Sequence, residues 1–508
     1  MKHKLSRRDF LKIAGIYSTS AAIPGYLLKP IKTETKTKKP NILIIVFDAW
    51  SASNISLYGY GRKTTPNLNH LAEKAIVYHN HYAGGNFTTP GTASLLTGTL
   101  PWSHKAYLLN EPVNKSFTKR NIFDAMENYQ RIAYTHNPIA NTLIRQFMGG
   151  VDEYIPMHNY FLKSNPLVDT LFPEDHDIAT VGWDRIFKQQ DDGFSYSLFF
   201  SRINGFLEKE NLEMLDKISP EFPRGLPNYD GIAYFTLENG IDGVVDVLRE
   251  SSQPFLGYFH FLPPHNPFKT RIEFNNYFSG DDYIPPFKPN HLFMGESTND
   301  EIIKKRRLYD EYILYVDAEF SRLFENLKSS GILENTYLIL TSDHGEMFER
   351  GILGHMTPSL HQPVIKIPLL IFPPNATNRV DIHTSTSTID LLPTLMYLTE
   401  HKIPDWAEGI ILPPFSSEMN KDIFAMVVRG IDKRKGITKA TVMMVENQYK
   451  LNWYFGYDQL KQNEDLVEFY NLLEDPGEIN NLYSLHSQKA KEMLAITKSK
   501  FEEKTKNL

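Results

Sequence analysis

The sequence has no cysteine among its 508 residues. Disulfides, thiolate metal ligands and a catalytic cysteine are therefore excluded, and so is any active-site residue made by modifying a cysteine. Long hydrophobic runs are scarce as well. The apolar stretch from Ile13 to Leu28 contains Gly15, Pro24 and Gly25, and it is shorter than the roughly 20 apolar residues that a membrane-spanning helix needs. We therefore expect no integral membrane span in the mature protein.

Residues 1–31 differ in kind from the rest of the chain. The pair Arg7 and Arg8 is followed by Phe10-Leu11-Lys12 and then by the apolar stretch. This order is typical of a twin-arginine export signal, with a basic amphipathic helix as the alternative. The sequence therefore predicts a signal segment at residues 1–31 and a Lys/Thr-rich linker at residues 32–39. It also predicts the twin-arginine export machinery as a partner and a periplasmic, cell-surface or extracellular location of bacterial type.

Without the predicted signal segment, the chain has more acidic than basic residues. The whole chain has a formal net charge of −6, and residues 1–31 hold six basic residues and one acidic residue, so the remainder has a net charge of −11. A chain of this sign has no basic footprint for nucleic acid. The hydrophobic share of 41% and the charged share of 22% are those of a globular protein and argue against a disordered or fibrous one.

Continuous apolar runs alternate with helical patterns along residues 40–405. The runs Pro40–Asp48 and Tyr337–His344 are typical of parallel strands that are buried on both faces. Further strands are predicted at Phe255–Phe261 and Ile367–Phe372, and helices at Asn67–Ala75, Tyr234–Glu250 and Arg307–Ser329. Such alternation predicts an α/β catalytic domain with a large, mainly parallel sheet and helices on both faces.

The pattern changes from about Trp406. Short strands are predicted at Asp422–Val428, Thr441–Val445 and Gln448–Tyr454, before a charged helix at Ser487–Lys504. We interpret residues 406–508 as a small C-terminal α+β subdomain. Residues 140–230 show no clean periodicity, and we interpret them as insertions that wall the substrate pocket.

A hydroxyl-rich loop runs directly into a helical pattern at Gly85–Gly98, and Thr88 lies in its front half. A hydroxyl at a helix N-terminus lies beside unpaired backbone N–H groups and the positive end of the helix dipole. That position suits a nucleophile that attacks an anionic ester, although threonine is also an ordinary N-cap residue.

Two strand-end carboxylates accompany this hydroxyl. Asp48 follows the first predicted strand, and Asp343 with His344 ends the run at Tyr337–His344. Ligand sites of open α/β sheets lie at the carboxyl ends of their strands. We therefore predict that Asp48, Asp343 and His344 bind one divalent cation beside Thr88. The alternatives are that the aspartates cap helices and that the histidine forms a hydrogen bond inside a turn.

Two further histidines lie in loops that follow these segments. His265 belongs to the proline-rich segment His260–Pro267, and His355 follows Gly354 shortly after the Asp343–His344 pair. Either imidazole can bind an anion, protonate a leaving oxygen or complete a metal shell.

These segments resemble, in their order, the sulfatase family of the alkaline-phosphatase-like superfamily, from Pro40 to about Leu482. The resemblance rests on the first metal-type segment Pro40–Asp48, on Leu95-Leu96-Thr97-Gly98 at the end of the nucleophile signature, on Ser342–Glu346, and on Ile389–Leu395. It implies an alkaline-phosphatase/sulfatase-like sandwich fold. It also implies a hydrolase of sulfuric or phosphoric esters.

Several positions depart from the family pattern. Thr88 stands where sulfatases have the cysteine or serine that becomes formylglycine, and threonine cannot form that aldehyde because its Cβ already bears a methyl group. Gly91 and Thr92 replace the signature Ser-Arg pair, and Ala49 replaces the second of the paired aspartates. A threonine nucleophile resembles instead the phosphodiesterase, phosphonate hydrolase and phosphoethanolamine transferase branches. Those branches favour Mn²⁺ or Zn²⁺, which suit His344 better than Ca²⁺ or Mg²⁺ do.

The sequence therefore predicts an exported, metal-dependent hydrolase that uses Thr88 through a covalent intermediate, with His265 and His355 serving the anion or the leaving group. Its expected substrates are phosphate, phosphonate or sulfate esters, either small and anionic or linked to a glycan or lipid. Two alternatives remain open at this point. One is a phosphoryl-group transferase that acts on a glycan or lipid, and the other is a non-catalytic protein that binds an anionic glycan.

Overall fold

The computed structural model describes residues 39–162, 172, 197–229, 233–417, 421–461, 464–485 and 487–506. The predicted signal at residues 1–31 lies outside the described residues, and so do the linker apart from Lys39 and much of the segment 140–230. In the part of the chain that is described, no helix combines the length and the apolar character needed to cross a membrane.

Strands and helices alternate through most of the chain. The strands are β1 (Asn41–Phe47), β2 (Ile76–Tyr82), β3 (Gln130–Thr135), β4 (Glu153–Tyr154), β5 (Asn228–Tyr229), β6 (Ala233–Tyr234), β7 (Phe255–Phe261), β8 (Thr336–Thr341), β9 (Phe348–Glu349), β10 (Ile352–Leu353), β11 (Lys366–Phe372), β12 (Val380–Ile382), β13 (Thr386–Ser387), β14 (Ile423–Asp432), β15 (Gly436–Glu446), β16 (Tyr449–Phe455) and β17 (Leu466–Asn471). The α-helices are α1 (Pro66–Leu71), α2 (Thr88–Thr97), α3 (Pro101–His104), α4 (Ile122–Ala125), α5 (Pro138–Gln146), α6 (Leu198–Ile218), α7 (Leu237–Glu250), α8 (Asn299–Ser329), α9 (Gln362–Ile365), α10 (Leu391–Leu398) and α11 (Ser487–Thr505).

A large sheet forms the centre of the molecule, with strand order β12-β2-β11-β8-β1-β7-β3-β4 and β13 paired to β2. Strand β1 is parallel to both of its neighbours, β7 and β8. Strand β11, predicted at Ile367–Phe372, is antiparallel to both β8 and β2. The prediction of a mainly parallel sheet is confirmed, with this strand as the exception.

Both faces of the sheet are covered by helices. In β1, Leu43, Ile45 and Phe47 belong to one apolar core, which also contains side chains of α7 and α8. The alternate residues of β1 belong to a second core, which is shared with α2, α5 and α10. Because strand side chains point alternately to opposite faces, a strand with a core on each side must be apolar throughout. This burial explains the continuous apolar run in the sequence.

Three predicted helices have shifted bounds. The helix predicted at Asn67–Ala75 is α1 followed by a 3₁₀ turn at Ala72–Lys74. The helix predicted from Tyr234 begins at Leu237, after the cap Thr236. The long helix α8 begins at Asn299, well before the predicted Arg307, because Thr298 and Glu301 form a capping box. Its first two turns are mostly charged and exposed, so they show no apolar periodicity.

A separate antiparallel sheet forms near the C-terminus, with strand order β14-β15-β16-β17. Helix α11 covers one of its faces through Ala490, Met493 and Phe501. Three of these strands and this helix were predicted from the sequence, whereas β17 was not. The first strand also contacts residues 83–87, the loop between β2 and α2 that we call the nucleophile loop. The Met426 N–H donates to the Gly84 carbonyl in this loop at 3.0 Å.

Helix α2 packs very closely against the end of β8. A Cβ atom at Gly91 would lie 2.3 Å from the backbone oxygen of Asp343, a separation that no real side chain tolerates. Only glycine at this position lets the first turn of α2, which contains Thr88, approach Asp343. The glycine that departs from the family signature is therefore required by the local packing.

We predict that Gly91→Ala separates α2 from Asp343. Overpacking of this kind costs about 1–3 kcal/mol, and it should also remove most of the activity because Thr88 moves with the helix. Denaturant unfolding and a rate assay measure the two effects. Gly149→Ala is the matched control, because a Cβ there has no atom within 4 Å. Equal stability and activity of the two variants would contradict this account of Gly91.

Candidate active site

The site lies where three neighbouring parallel strands end. Asp48 directly follows β1, and its N–H donates to the Phe261 carbonyl at the end of β7 at 2.9 Å. Asp343 and His344 follow β8 by two and three residues, and all three side chains are fully buried. The parallel register of β1 and β8 brings their carboxyl ends to one edge, as the sequence analysis expected.

Asp48, Asp343 and His344 each offer a ligand atom, and these atoms lie within 4.8 Å of one another. The His344 Nε2 atom is 3.4 Å from Asp48 Oδ1 and 3.6 Å from Asp343 Oδ2. Asp48 Oδ1 has no hydrogen-bond partner although it is buried. A buried, unpartnered carboxylate oxygen facing an imidazole nitrogen fits a divalent cation such as Mn²⁺ or Zn²⁺.

Thr88 is the first residue of α2, and its hydroxyl faces this cluster. Phe87 occupies the N-cap, and no side chain caps the helix, so Thr88 is not an ordinary N-cap residue. Its Oγ1 atom lies 3.4 Å from His344 Nε2. One turn later, the Thr92 hydroxyl donates to Asp343 Oδ2 at 3.3 Å. The helix therefore directs a hydroxyl and its positive end towards the two carboxylates.

Asn137 lies two residues after the end of β3 and contacts the site, but it was not predicted from the sequence. Its Nδ2 donates to Asp48 Oδ2 and lies 3.4 Å from Thr88 Oγ1. Its Oδ1 accepts from the Ile139 and Ala140 N–H groups and caps α5. The sequence signal was an asparagine before Pro138, which is typical of a helix start, but β3 itself had not been predicted.

His260 was also missed. It lies on β7 inside an apolar run, and its Nε2 is 3.4 Å from Asp48 Oδ2 and 3.9 Å from Asp343 Oδ2. The His260 Nε2 atom has no hydrogen-bond partner and is buried. On sequence grounds a histidine inside a buried strand gives no signal that separates a structural role from a site role.

The two loop histidines extend the cluster from His344. The His355 ring lies 4.4 Å from the His344 ring, and the His265 ring lies 5.0 Å from the His355 ring. All six residues that the sequence predicted therefore belong to one cluster, with His265 at its half-exposed edge. Their chemical roles remain predictions.

Three of the histidines are fixed in the same way. The Nδ1–H groups of His265 and His344 donate to the carbonyls of Asn266 and Gly345, at 2.7 and 2.9 Å. His355 Nδ1 donates to the buried carboxylate of Glu346 at 3.1 Å. Because each Nδ1 is occupied, the Nε2 atom is the one left for a metal ion, a substrate oxygen or a proton.

The pKa values of the buried residues in the cluster are set by burial and by the neighbouring charges. Burial alone raises the pKa of Asp48, but His260, His265 and His344 outweigh burial and hold it well below its usual value. Burial lowers the pKa of His344, but Asp343 and Asp48 outweigh burial and raise it to about 9. Burial also lowers the pKa of His355, despite its contact with Glu346. At neutral pH the ring of His355 is therefore neutral, while Asp48 is ionised.

Comparisons with known proteins agree with this arrangement. A family model described as Sulfatase matches residues 40–401. The choline-sulfatase of Rhizobium meliloti (strain 1021) is 21% identical over 478 residues, which are 88% of this chain and 83% of that protein. The ulvan-active sulfatase of Formosa agariphila is 21% identical over 426 residues, covering 78% of this chain and 70% of the relative.

Solved structures share the fold. The phosphonate monoester hydrolase of Agrobacterium radiobacter superposes with a TM-score of 0.64 at 19% identity, covering 91% of this chain and 96% of that one. A protein solved in complex with its substrate D-glucosamine-2-N,6-O-disulfate has a TM-score of 0.62 at 16% identity, covering 92% of this chain and 99% of that one. At these identities the likeness establishes the fold alone.

Asp343→Asn should weaken Mn²⁺ binding. Loss of a partner behind a metal ligand already costs about 10–100-fold in affinity, and replacing a charged ligand should cost at least that much. Calorimetric titration of metal-free protein with Mn²⁺ measures the change. Asp381→Asn, on the far strand β12 beside Arg379, is the control and should bind as wild type does. Unchanged affinity in Asp343→Asn would remove this residue from the metal site.

Asn137→Asp should lower the rate of ester hydrolysis by about tenfold or more, because it places another carboxylate beside Asp48 where the Asn137 amide now donates. The fold should be kept, since aspartate caps a helix as well as asparagine does. Asn121→Asp is the matched control. Asn121 caps α4 through Phe123 and Asp124 and also donates to a carboxylate, Asp124.

Thermal unfolding and initial rates of the Asn137→Asp and Asn121→Asp variants are compared with wild type. Similar midpoints with a rate loss confined to Asn137→Asp support the role of Asn137. A wild-type rate in Asn137→Asp would show that its amide has no part in the reaction.

Proposed function

Because the chain belongs to the sulfatase family and is a hydrolase acting on ester bonds, we propose that it is an exported, metal-dependent enzyme whose nucleophile is Thr88. The observation that carries the proposal is the position of the Thr88 hydroxyl. It stands at the N-terminus of α2, 3.4 Å from both His344 Nε2 and Asn137 Nδ2, where sulfatases have formylglycine. The chain has no cysteine, so the nucleophile at this position is the threonine hydroxyl and not a thiol or a residue formed from cysteine.

In the proposed reaction, Thr88 Oγ1 attacks the phosphorus or sulfur of the ester, and the bond to the leaving oxygen breaks. Asp48, Asp343 and His344 would hold the metal ion. A divalent cation there would favour ionisation of a nearby hydroxyl through its Lewis acidity. The Asn137 amide keeps Thr88 in position and can donate to a non-bridging oxygen of the substrate.

His265 and His355 have different duties in this proposal. His355 is neutral near pH 7 and is fixed through Nδ1 by Glu346, so its Nε2 is suited to accept a proton or to hydrogen-bond the attacking water. His265 lies at the half-exposed edge of the site, where a leaving group would depart. We assign it the protonation of the leaving oxygen.

The covalent intermediate would be a threonyl ester that water then hydrolyses. A sulfated gem-diol can release sulfate by re-forming its aldehyde, whereas a threonyl ester has no second hydroxyl and must be attacked at phosphorus or sulfur. This difference favours phosphate or phosphonate esters as substrates. The name of the phosphonate monoester hydrolase neighbour points the same way. The names of the choline-sulfatase and the ulvan-active sulfatase keep sulfate esters in the set to be tested.

The proposal includes export of the enzyme by a twin-arginine signal. The paired arginines and the short apolar stretch of residues 1–31 support a twin-arginine signal. Such a signal would place the enzyme among extracellular or cell-envelope esters. A small anionic ester or an ester linked to a glycan or lipid is the proposed substrate.

Thr88→Ala should lower the rate on every active substrate by at least about a thousandfold, since the nucleophile is lost. Thr88→Ser keeps the hydroxyl and should retain substantial activity. The assay uses nitrophenyl phosphate monoesters and diesters, phosphonates and sulfate, with metals added back. Thr89→Ala is the matched control. Its hydroxyl lies on the same helix turn, but it accepts from the Asn110 N–H.

Equal rates for Thr88→Ala and wild type on the active substrates would disprove the nucleophile assignment. Repeating the assay with an added alcohol measures how much of the group passes to an acceptor instead of water. Product that forms only with the alcohol would identify a transferase.

A further inference from the structure

Arg429 lies beside the nucleophile loop although it belongs to the C-terminal sheet. Its Nη2 atom donates to the Thr357 carbonyl at 3.1 Å, and its guanidinium lies 5.4 Å from the centre of the Phe87 ring. Phe87 is the residue before Thr88. Thr357 lies two residues after His355. Arg429 therefore contacts the segments next to Thr88 and His355, two of the three predicted catalytic side chains.

Arg429 shares a hydrogen-bond acceptor with Asn86, which lies two residues before Thr88. The Asn86 Nδ2 atom donates to the same Thr357 carbonyl at 2.7 Å, and it also donates to the His355 carbonyl at 3.0 Å. One guanidinium nitrogen and one amide nitrogen thus meet at a single oxygen. This arrangement puts the positive charge next to a buried residue that lies two positions before Thr88.

The strand geometry directs Arg429 towards the site. Ile423, Ala425 and Val427 of β14 point into an apolar cluster that contains Phe87, and Arg429 continues this alternation by two residues. The register of β14 against β15 shifts between Val428 and Gly430. Arg429 keeps to the Phe87 side although the register shifts beside it, and such bulges are frequent beside active sites.

Among the described residues, no carboxylate lies within ion-pair distance of Arg429, whereas most other arginines there pair with one. Burial lowers the pKa of the guanidinium, and only the Tyr457 phenol is found to oppose this shift. Partial burial of a guanidinium without a carboxylate partner costs free energy of folding, unless an anion binds to it.

We propose that Arg429 binds a second oxyanion of the substrate, a carboxylate or sulfate group on the part that leaves. The proposal rests on the proposed function, because it places this anion beside the Thr88 loop. The substrate would then carry an anionic group beyond the reacting ester. An arginine fork binds either oxyanion through two parallel N–H donors.

The experiment uses matched substrates that have the same reacting ester and differ by one anionic group. N-acetylglucosamine 6-sulfate is compared with glucosamine 2-N,6-O-disulfate, and a disaccharide of galactose 6-sulfate and a neutral sugar with the same disaccharide in which the neutral sugar is a uronate. The 6-phosphate forms of both pairs are assayed alongside. Wild type should prefer the member with the extra anion. In Arg429→Gln this preference should fall by about tenfold or more, mainly through KM. Arg429→Lys should keep part of the preference.

Arg434→Gln is the control, because Arg434 lies in the exposed turn between β14 and β15. The two pairs separate a sulfate from a carboxylate as the preferred anion. If Arg429→Gln slows all substrates equally, Arg429 only positions the loops and the proposal is wrong. If it changes nothing, the proposal is equally wrong.

A binding measurement separates this proposal from the proposed function. The disulfate is titrated calorimetrically into the Thr88→Ala protein, with and without Arg429→Gln. An affinity loss of about tenfold or more supports the subsite even if no ester in the panel is hydrolysed. Equal affinity would reject the subsite even if Thr88 proves to be the nucleophile.

Discussion

Two buried carboxylates at the ends of adjacent strands are the constraint on which the rest of the site depends. Asp48 and Asp343 are fully buried, and their ligand oxygens lie within 4.8 Å of each other. Two like charges at that distance repel by about 3–4 kcal/mol at an effective dielectric constant of 20. The fold must therefore supply positive charge at this point. His344, whose pKa is raised to about 9, and the N-terminus of α2 supply it from two different elements.

The positions of the neighbouring elements follow from this need. Gly91 lets α2 approach Asp343, and Thr92 donates to that carboxylate. Asn137 binds the other carboxylate while it caps α5. The hydroxyl of Thr88 is carried into the same space by the helix. The replacement of the family's Ser-Arg pair by Gly91-Thr92 thus removes a cation but keeps the helix in contact with the metal-type ligands.

Much of the fold and part of the site could be predicted from the sequence. Buried central strands are continuous apolar runs, so β1 and β7 were found almost to the residue, and the side chains after β1 and β8 had to meet. Strand β3 was missed because it starts with Gln130 and Arg131 and is short, and Asn137 was missed with it. The antiparallel direction of β11 leaves no mark in a local pattern. Arg429 reaches the site through tertiary packing of a distant strand, which no spacing rule reveals.

The central claim is that Thr88 becomes covalently loaded during turnover. The most direct measurement is to mix enzyme, metal and an active ester, quench in acid and locate the transferred group by mass spectrometry of the digested protein. We expect one phosphoryl or sulfo group on the peptide that contains Thr88, and none on that peptide of the Thr88→Ala protein. Rapid turnover with no such adduct at any quench time, or an adduct on another residue, would contradict it.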